Sequence, residues 1–226
     1  MRVLALTHGP SVGAGVFGEA VEAGGHDFSE WCLPLGGNAP ADPDPDPDAV
    51  LVFGGAMHPD QEDSHPWLAR ELRFLESALE RDTPTFGVCL GAQLLARAAG
   101  ASVHPADESE VGWHGVELTA AGAADPVFGR LPERFDAFQW HHYTYGVPAG
   151  GVELARSPAC TQAFRLGRSY GIQFHAEVTA TMVARWLEED PADVADADVL
   201  REETEARIEG WNELGRRICT RFLETV

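Results

Sequence analysis

Apolar residues recur along the chain with two periods. Short, nearly continuous apolar runs mark buried strands, and runs spaced by three and four mark helices. Arg2 to Thr7 is such a short run and predicts a buried first strand. Val12 to Ala23 carries small and apolar residues at helical positions and stops at Gly24-Gly25. Ala49 to Phe53 is a second strand, closed by Gly54-Gly55. Between Ser64 and Arg81, Leu68, Leu72, Leu75 and Leu79 recur at four, three and four, which is one face of a helix. Pro84 to Val88 reads as a third short strand, and Leu90 to Ala99 as a helix ending at Gly100.

Strands that alternate with helices imply a parallel sheet with helical crossovers. The pattern changes from about Ser102 to Ser169. Trp113 to Leu118, Phe135 to Trp140, Val152 to Arg156 and Thr161 to Leu166 read as short strands with turn residues between them. They predict an antiparallel layer, or hairpins, attached to the parallel sheet. Tyr170 to Phe174 is a further strand, and a helix follows over about Val178 to Glu188. From about Ala195 to Leu223, residues Ile208, Trp211, Gly215, Ile218 and Phe222 share one face of an amphipathic helix, expected to pack on the domain. No repeat and no dividing linker is visible, so residues 1–226 read as one α/β domain with a mostly parallel central sheet flanked by helices.

Charge narrows the function classes. The formal net charge is −20. Such a field repels phosphate backbones, so nucleic acid is not an expected partner. No apolar run approaches the roughly 20 residues a bilayer span needs, so no membrane partner is expected. The N-terminal run is too short for a secretory signal, and the expected compartment is the cytoplasm. The alternating segment Asp42 to Asp48 suits neither a helix nor a sheet interior and reads as an extended acidic surface loop.

Of the four cysteines, Cys32, Cys160 and Cys219 read as small, buried apolar residues. Cys89 differs in context. In Pro84-Thr85-Phe86-Gly87-Val88-Cys89-Leu90-Gly91-Ala92-Gln93 a strand enters, glycines flank the cysteine at spacing two, and a helix leaves. This is the strand–turn–helix arrangement of a nucleophile elbow, with a thiol in place of a hydroxyl. The glycines give the turn room. The helix N-terminus favours thiolate. A buried structural cysteine at a strand end is the plainer alternative, and the paired glycines count against it.

A cysteine nucleophile needs a base, and the base needs an orienting partner. Gly171-Ile172-Gln173-Phe174-His175-Ala176-Glu177 supplies both: His175 and Glu177 stand at i and i+2 after a strand and point to one side.

These two segments resemble the signature motifs of class I glutamine amidotransferases, with the amidotransferase domain of GMP synthase and its stand-alone relatives the nearest flavour. The resemblance runs from about Val3 to Leu187 and implies a flavodoxin-like fold. It implies a triad of Cys89, His175 and Glu177. It also implies an oxyanion hole from the Gly55 and Leu90 backbone N–H groups, on a turn matching Phe53-Gly54-Gly55-Ala56-Met57. Gly54 and Gln93 fall at positions that help hold glutamine; a solvent-facing helix residue is the alternative for Gln93. Glu110-Val111-Gly112-Trp113 resembles a further family segment. Gln139-Trp140-His141-His142 resembles the segment that lines the glutamine pocket, although Trp140, His141 and His142 could equally be core and surface residues. The sequence departs from the family at Ala176, where proline is usual, at Tyr143, where aspartate is frequent, and in the Ala56-Met57-His58 turn.

The implied substrate is glutamine or another γ-glutamyl compound. The implied reaction is amide hydrolysis through a cysteine thioester, which requires no cofactor and no metal. The chain has no P-loop motif. The ammonia acceptor is therefore expected to be a separate synthetase subunit. The alternatives are a stand-alone γ-glutamyl hydrolase and a non-catalytic binding module.

Overall fold

The structure is a computed structural model and describes residues 1–33 and 46–226. The first half of the chain runs β1 (Arg2–Thr7), α1 (Gly15–Ala23), β2 (Asp27–Cys32), β3 (Ala49–Val52), α2 (Trp67–Glu80), β4 (Thr85–Val88) and α3 (Leu90–Ala98). The second half runs β5 (Val103–Leu118), α4 (Ala120–Ala123), β6 (Arg134–Tyr145), β7 (Val152–Arg156), β8 (Thr161–Leu166), β9 (Ser169–Ile172), α5 (Ala180–Glu189), a 3-10 turn at Pro191–Asp193, and α6 (Ala197–Leu223).

All of these strands join one 9-stranded sheet of order β2-β1-β3-β4-β9-β8-β7-β5-β6. The strands from β2 to β9 in that order are parallel. The pairings from β9 through to β6 are antiparallel. The antiparallel strands thus continue the parallel sheet rather than forming a layer of their own.

Residues of β3 and β4 are buried throughout, as parallel strands covered on both faces must be. The period of two sorts the core. Val3, Ala5, Leu51 and Phe53 face α1 and α6 in one cluster. Leu4, Leu6, Val50 and Val52 face α2 and α3 in the other. Phe86 anchors the first cluster, edge-on to Phe17 at 5.5 Å and to Phe222 at 5.3 Å. On α6, Trp211, Gly215, Ile218 and Phe222 are buried, with Ile208 packed beside them, as the amphipathic pattern predicts. Gly215 is needed there: a Cβ would lie 2.0 Å from the Ala176 carbonyl oxygen.

Several boundaries depart from the sequence expectation. Asp27–Cys32 gives no apolar run, yet it forms the parallel edge strand β2; only Trp31 in it is buried, so an edge position leaves little hydrophobic signal. Helix α1 starts at Gly15 and not at Val12, because Gly9 and Val12 close an isolated bridge first and Gly15 turns the chain with φ 48°. Strands β5 and β6 are much longer than their apolar segments: none of the first seven residues of β5 is buried, and β6 opens on the exposed Arg134 and Asp136, so these stretches leave no apolar run. Of the acidic Asp-Pro segment, residues 42–45 lie outside the described residues, and Asp48 accepts from the Arg2 backbone N–H at 2.7 Å.

The long β5–β6 ribbon curls across the carboxyl ends of the parallel strands. Its return is fixed by a hydrogen bond from the His175 N–H to the Phe138 carbonyl, 2.8 Å, and by the Gln93 amide donating to the Tyr143 carbonyl, 2.9 Å. A cleft remains between the ribbon, the start of α3 and the end of α5.

Candidate active site

Cys89 stands between β4 and α3 with φ 52° and ψ −110°, one of two non-glycine residues of positive φ among those described. Such backbone is costly for a residue with a Cβ and persists only where surroundings fix it. Here the Cys89 N–H donates to the Ile172 carbonyl at 2.8 Å, and its own carbonyl accepts from the Gln93 N–H at 3.0 Å. The flanking glycines let the corner close. A Cβ on Gly87 would lie 2.6 Å from the Gly91 backbone, and one on Gly91 would lie 2.2 Å from the Val52 carbonyl oxygen. Cys89 is 6% exposed and lines the cleft at the N-terminus of α3.

His175 and Glu177 follow β9 and are both buried. Nδ1 of His175 lies 2.8 Å from Glu177 Oε1. With that nitrogen occupied, the other is left for Cys89, whose Cβ flanks Gly54 together with His175 Cε1. Burial pulls the His175 pKa down, but the Glu177 carboxylate and the Cys89 sulfur outweigh it and raise the group to about 10. The imidazole therefore holds its proton at neutral pH. Its ring is wedged edge-on against Trp186 at 4.9 Å, and its carbonyl accepts from the Trp211 indole at 2.8 Å. The Glu177 carbonyl accepts from the Val16 N–H at the head of α1, 2.9 Å. Ala176, the departure from proline, is buried under α6 and leaves both neighbours in place.

Gly54 and Gly55 pass directly over this pair. A Cβ on Gly54 would come within 2.9 Å of His175 Cε1 and 3.8 Å of Cys89 Cβ. A Cβ on Gly55 would come within 2.9 Å of both His8 Cβ and Leu90 Cδ2. The Gly55 and Leu90 N–H groups have no protein acceptor among the described residues, and both residues line the cleft beside the thiol.

The remaining expected residues are found on the same cleft but in different roles. Gln93 is buried, not solvent-facing; its amide donates to the Tyr143 carbonyl and to Gln173 Oε1, at 2.9 and 3.3 Å. Trp140 places its carbonyl 3.7 Å from Cys89 Sγ and donates its indole N–H to Asp193 at 3.0 Å. His142 reaches the same Asp193 oxygen at 2.9 Å and forms part of the rim. Burial raises the Asp193 pKa, but these two hydrogen bonds outweigh it and hold the carboxyl below its usual value. Tyr143 stacks on His58 at 4.3 Å across the entrance.

His141 lines the cleft, and its Nε2 joins a buried polar cluster with Glu110, Ser157, Cys160 and Gln162. Glu110, His141 and Cys160 bring three metal-capable atoms within 4.8 Å of one another. Glu110 Oε2, however, already receives the Gln162 amide at 2.7 Å and the Ser157 hydroxyl at 3.2 Å. Burial pushes the Cys160 thiol up to about 11, so it is protonated. The cluster is a hydrogen-bonded brace behind the cleft wall.

Sequence patterns gave no sign of His8, Glu71, Trp186 or Asp193. Each is a single residue whose partner lies far along the chain, and no local spacing marks it.

The fold and the cysteine-bearing corner define a class, and comparison with known proteins agrees with it. The family model "Glutamine amidotransferase class-I" matches residues 38–190, and the chain belongs to that family. Over 99% of its length it is 28% identical to the glutamine amidotransferase-like protein YfeJ of Salmonella typhimurium, covering 96% of that protein. A γ-glutamyl-L-1-hydroxyisopropylamide hydrolase from a Pseudomonas species is 32% identical over 65% of the chain; the chain spans about half of that enzyme, 52%. Among solved structures, a glutamine amidotransferase from Thermotoga maritima superimposes with TM-score 0.89 at 30% identity, covering 99% of this chain and 98% of that one.

Proposed function

We propose that the protein hydrolyses the side-chain amide of a γ-glutamyl compound, glutamine included, through a thioester on Cys89. The observation that carries this reading is the buried relay Cys89–His175–Glu177, in which an imidazole held by Glu177 adjoins the cysteine sulfur at a helix N-terminus. The sulfur, having given its proton to His175, attacks the γ-carbonyl carbon. The developing oxyanion is received by the Gly55 and Leu90 N–H groups. His175 returns the proton to the leaving nitrogen as the C–N bond breaks, releasing ammonia or an amine. Water then adds to the thioester, giving its proton to His175, and the thiol leaves with that proton. Glu177 keeps the imidazole in the orientation both steps use.

In the first reading, the nitrogen released is ammonia from glutamine, passed to a separate synthetase subunit. The second reading, a stand-alone γ-glutamyl hydrolase, is favoured by one observation: the likeness to the Pseudomonas hydrolase, whose name specifies a γ-glutamyl amide. Gln93, Trp140, His142 and Tyr143 border the region that the scissile amide and its substituent would occupy.

Purified protein assayed alone against glutamine and a panel of γ-glutamyl amides separates the two. Fast turnover of substituted amides favours the stand-alone enzyme. Glutamine turnover that rises on adding a co-purifying synthetase favours the first. No turnover of any member, with Cys89 unlabelled by a glutamine-like thiol reagent, overturns both.

A further inference from the structure

Another imidazole–carboxylate pair, His8 with Glu71, adjoins the Gly54-Gly55 turn. His8, just beyond β1, and Glu71, on the buried face of α2, have fully buried side chains. His8 Nε2 sits 3.0 Å from both oxygens of Glu71, and Nδ1 sits 2.8 Å from the Gly54 carbonyl oxygen. The ring is stacked on Trp67 at 5.4 Å. Both ring nitrogens therefore face acceptors, and an imidazole satisfies two acceptors only by carrying two protons. Burial disfavours that charge, but Glu71 and the carbonyl contacts outweigh it and raise His8 above its usual value.

An ion pair removed from water is not a cheap source of stability. Its position suggests another use. The Gly54 carbonyl and the Gly55 N–H belong to one planar trans peptide, so they point in opposite directions. Whatever grips the carbonyl sets where the N–H aims. His8 grips the carbonyl from the α2 side, which turns the Gly55 N–H away from His8, and the same turn adjoins the relay, since a Cβ on Gly54 would lie 2.9 Å from His175 Cε1 and 3.8 Å from Cys89 Cβ. Glycines at both positions leave this peptide without a Cβ to resist rotation, so an external clamp has work to do here.

We propose that His8 and Glu71 form a positioning clamp that fixes the Gly54–Gly55 peptide with its N–H aimed at the oxyanion, as a doubly protonated imidazole polarising that peptide from its carbonyl end. The inference rests on the amide-hydrolase reading above. His8 and Glu71 act through the peptide and are not catalytic residues.

The test compares wild type, His8→Asn, and the double variant His8→Leu/Glu71→Leu, which removes both partners so that no buried charge is left alone. Two rates are read on each. The first is turnover of a γ-glutamyl amide. The second is alkylation of Cys89 by iodoacetamide, in which sulfur displaces iodide from a saturated carbon and no oxyanion forms. The double variant is expected to alkylate at the wild-type rate, to keep KM within about threefold, and to lose about 10- to 100-fold in kcat. His8→Asn, whose amide can still donate to the Gly54 carbonyl, is expected to recover a large part of that loss. A double variant with wild-type kcat overturns the clamp while leaving the functional reading intact. Alkylation falling in step with kcat also overturns it, because the whole site has then moved. A wild type without turnover on any γ-glutamyl amide overturns the functional reading, and the clamp with it.

Discussion

The Phe138 carbonyl accepts the His175 N–H at 2.8 Å, and this single bond ties the far edge strand of the sheet to the segment that carries the imidazole. It explains how the side chains of the relay hold their relation. Cys89 is fixed by the β4–α3 corner, His175 by β9 on one side and β6 on the other, and Glu177 by the head of α1. The site is therefore built where the curled sheet meets itself, at the carboxyl ends of the parallel strands, a position open α/β sheets commonly use for ligands.

Replacing the thiol should remove the reaction and spare the fold. Cys89→Ala is expected to lose on the order of 10⁴-fold or more in amide hydrolysis. Its melting temperature should stay close to that of wild type, since the side chain is small and its neighbours are fixed by backbone bonds. Cys160, half-buried, and Cys219, buried, are held at about 11 and about 12 chiefly by burial and are protonated. Cys32→Ala, Cys160→Ser and Cys219→Ala should each keep activity. A folded Cys89→Ala that still turns over substrate would remove Cys89 from the mechanism.

The glycines at the corner make a sharper structural forecast. Gly91→Ala would place a Cβ 2.2 Å from the Val52 carbonyl oxygen, backbone against backbone, with no flexible atom to yield. Helix α3 would have to lift off β3, at about 3 kcal/mol or more. Gly115→Ala, on β5, meets nothing within 4 Å and should be neutral or stabilising by a few tenths of a kcal/mol. Urea denaturation of the two variants measures both; equal midpoints would mean the corner is looser than its geometry states.

The two parts of the candidate relay were legible for different reasons. Gly87, Cys89 and Gly91 are neighbours in sequence, and the steric need for both glycines is local, so spacing alone displays it. His175 and Glu177 share a strand end. The rest of the site depends on residues that only the closed sheet brings together. His8 and Glu71 are 63 positions apart, and Glu71 reads as one more charge on an amphipathic helix. Gln93 sits on a helix that is buried almost all round, so no amphipathic pattern told which way it faces. Strand β2 was illegible because an edge strand with one buried residue has no period to read. His141 lines the cleft while its Nε2 meets Glu110, a partner 31 positions away that no local pattern marks.

The charge on His175 links stability to pH. Its folded value, about 10, lies above the unfolded value of about 6.5. A raised value contributes stability that is complete below about pH 6.5 and is lost as pH climbs toward about 10. Lysines, which would obscure this window, are absent from the sequence, all of whose 16 basic residues are arginines. The melting temperature of wild type should therefore fall more steeply than that of His175→Gln between pH 6.5 and 10, as followed by circular dichroism. Parallel curves would show that the imidazole is not held charged by Glu177 and Cys89.

The rim offers a test of binding apart from chemistry. Asp193 accepts both the Trp140 indole and the His142 imidazole on one oxygen, and so fastens the 3-10 turn after α5 across the cleft. None of the three supplies a proton to the reaction proposed above. Asp193→Ala frees the turn and unpins Trp140, whose ring otherwise stands edge-on to Trp186 at 5.9 Å. The wall against which the substrate would rest then becomes mobile, and ordering it again on binding costs free energy. KM should rise by about three- to tenfold while kcat changes less than about threefold, because Cys89, His175 and Glu177 are held by other elements. Steady-state kinetics on the best substrate of the γ-glutamyl panel reads this directly. A fall in kcat at constant KM would place Asp193 among the groups that act in the transition state.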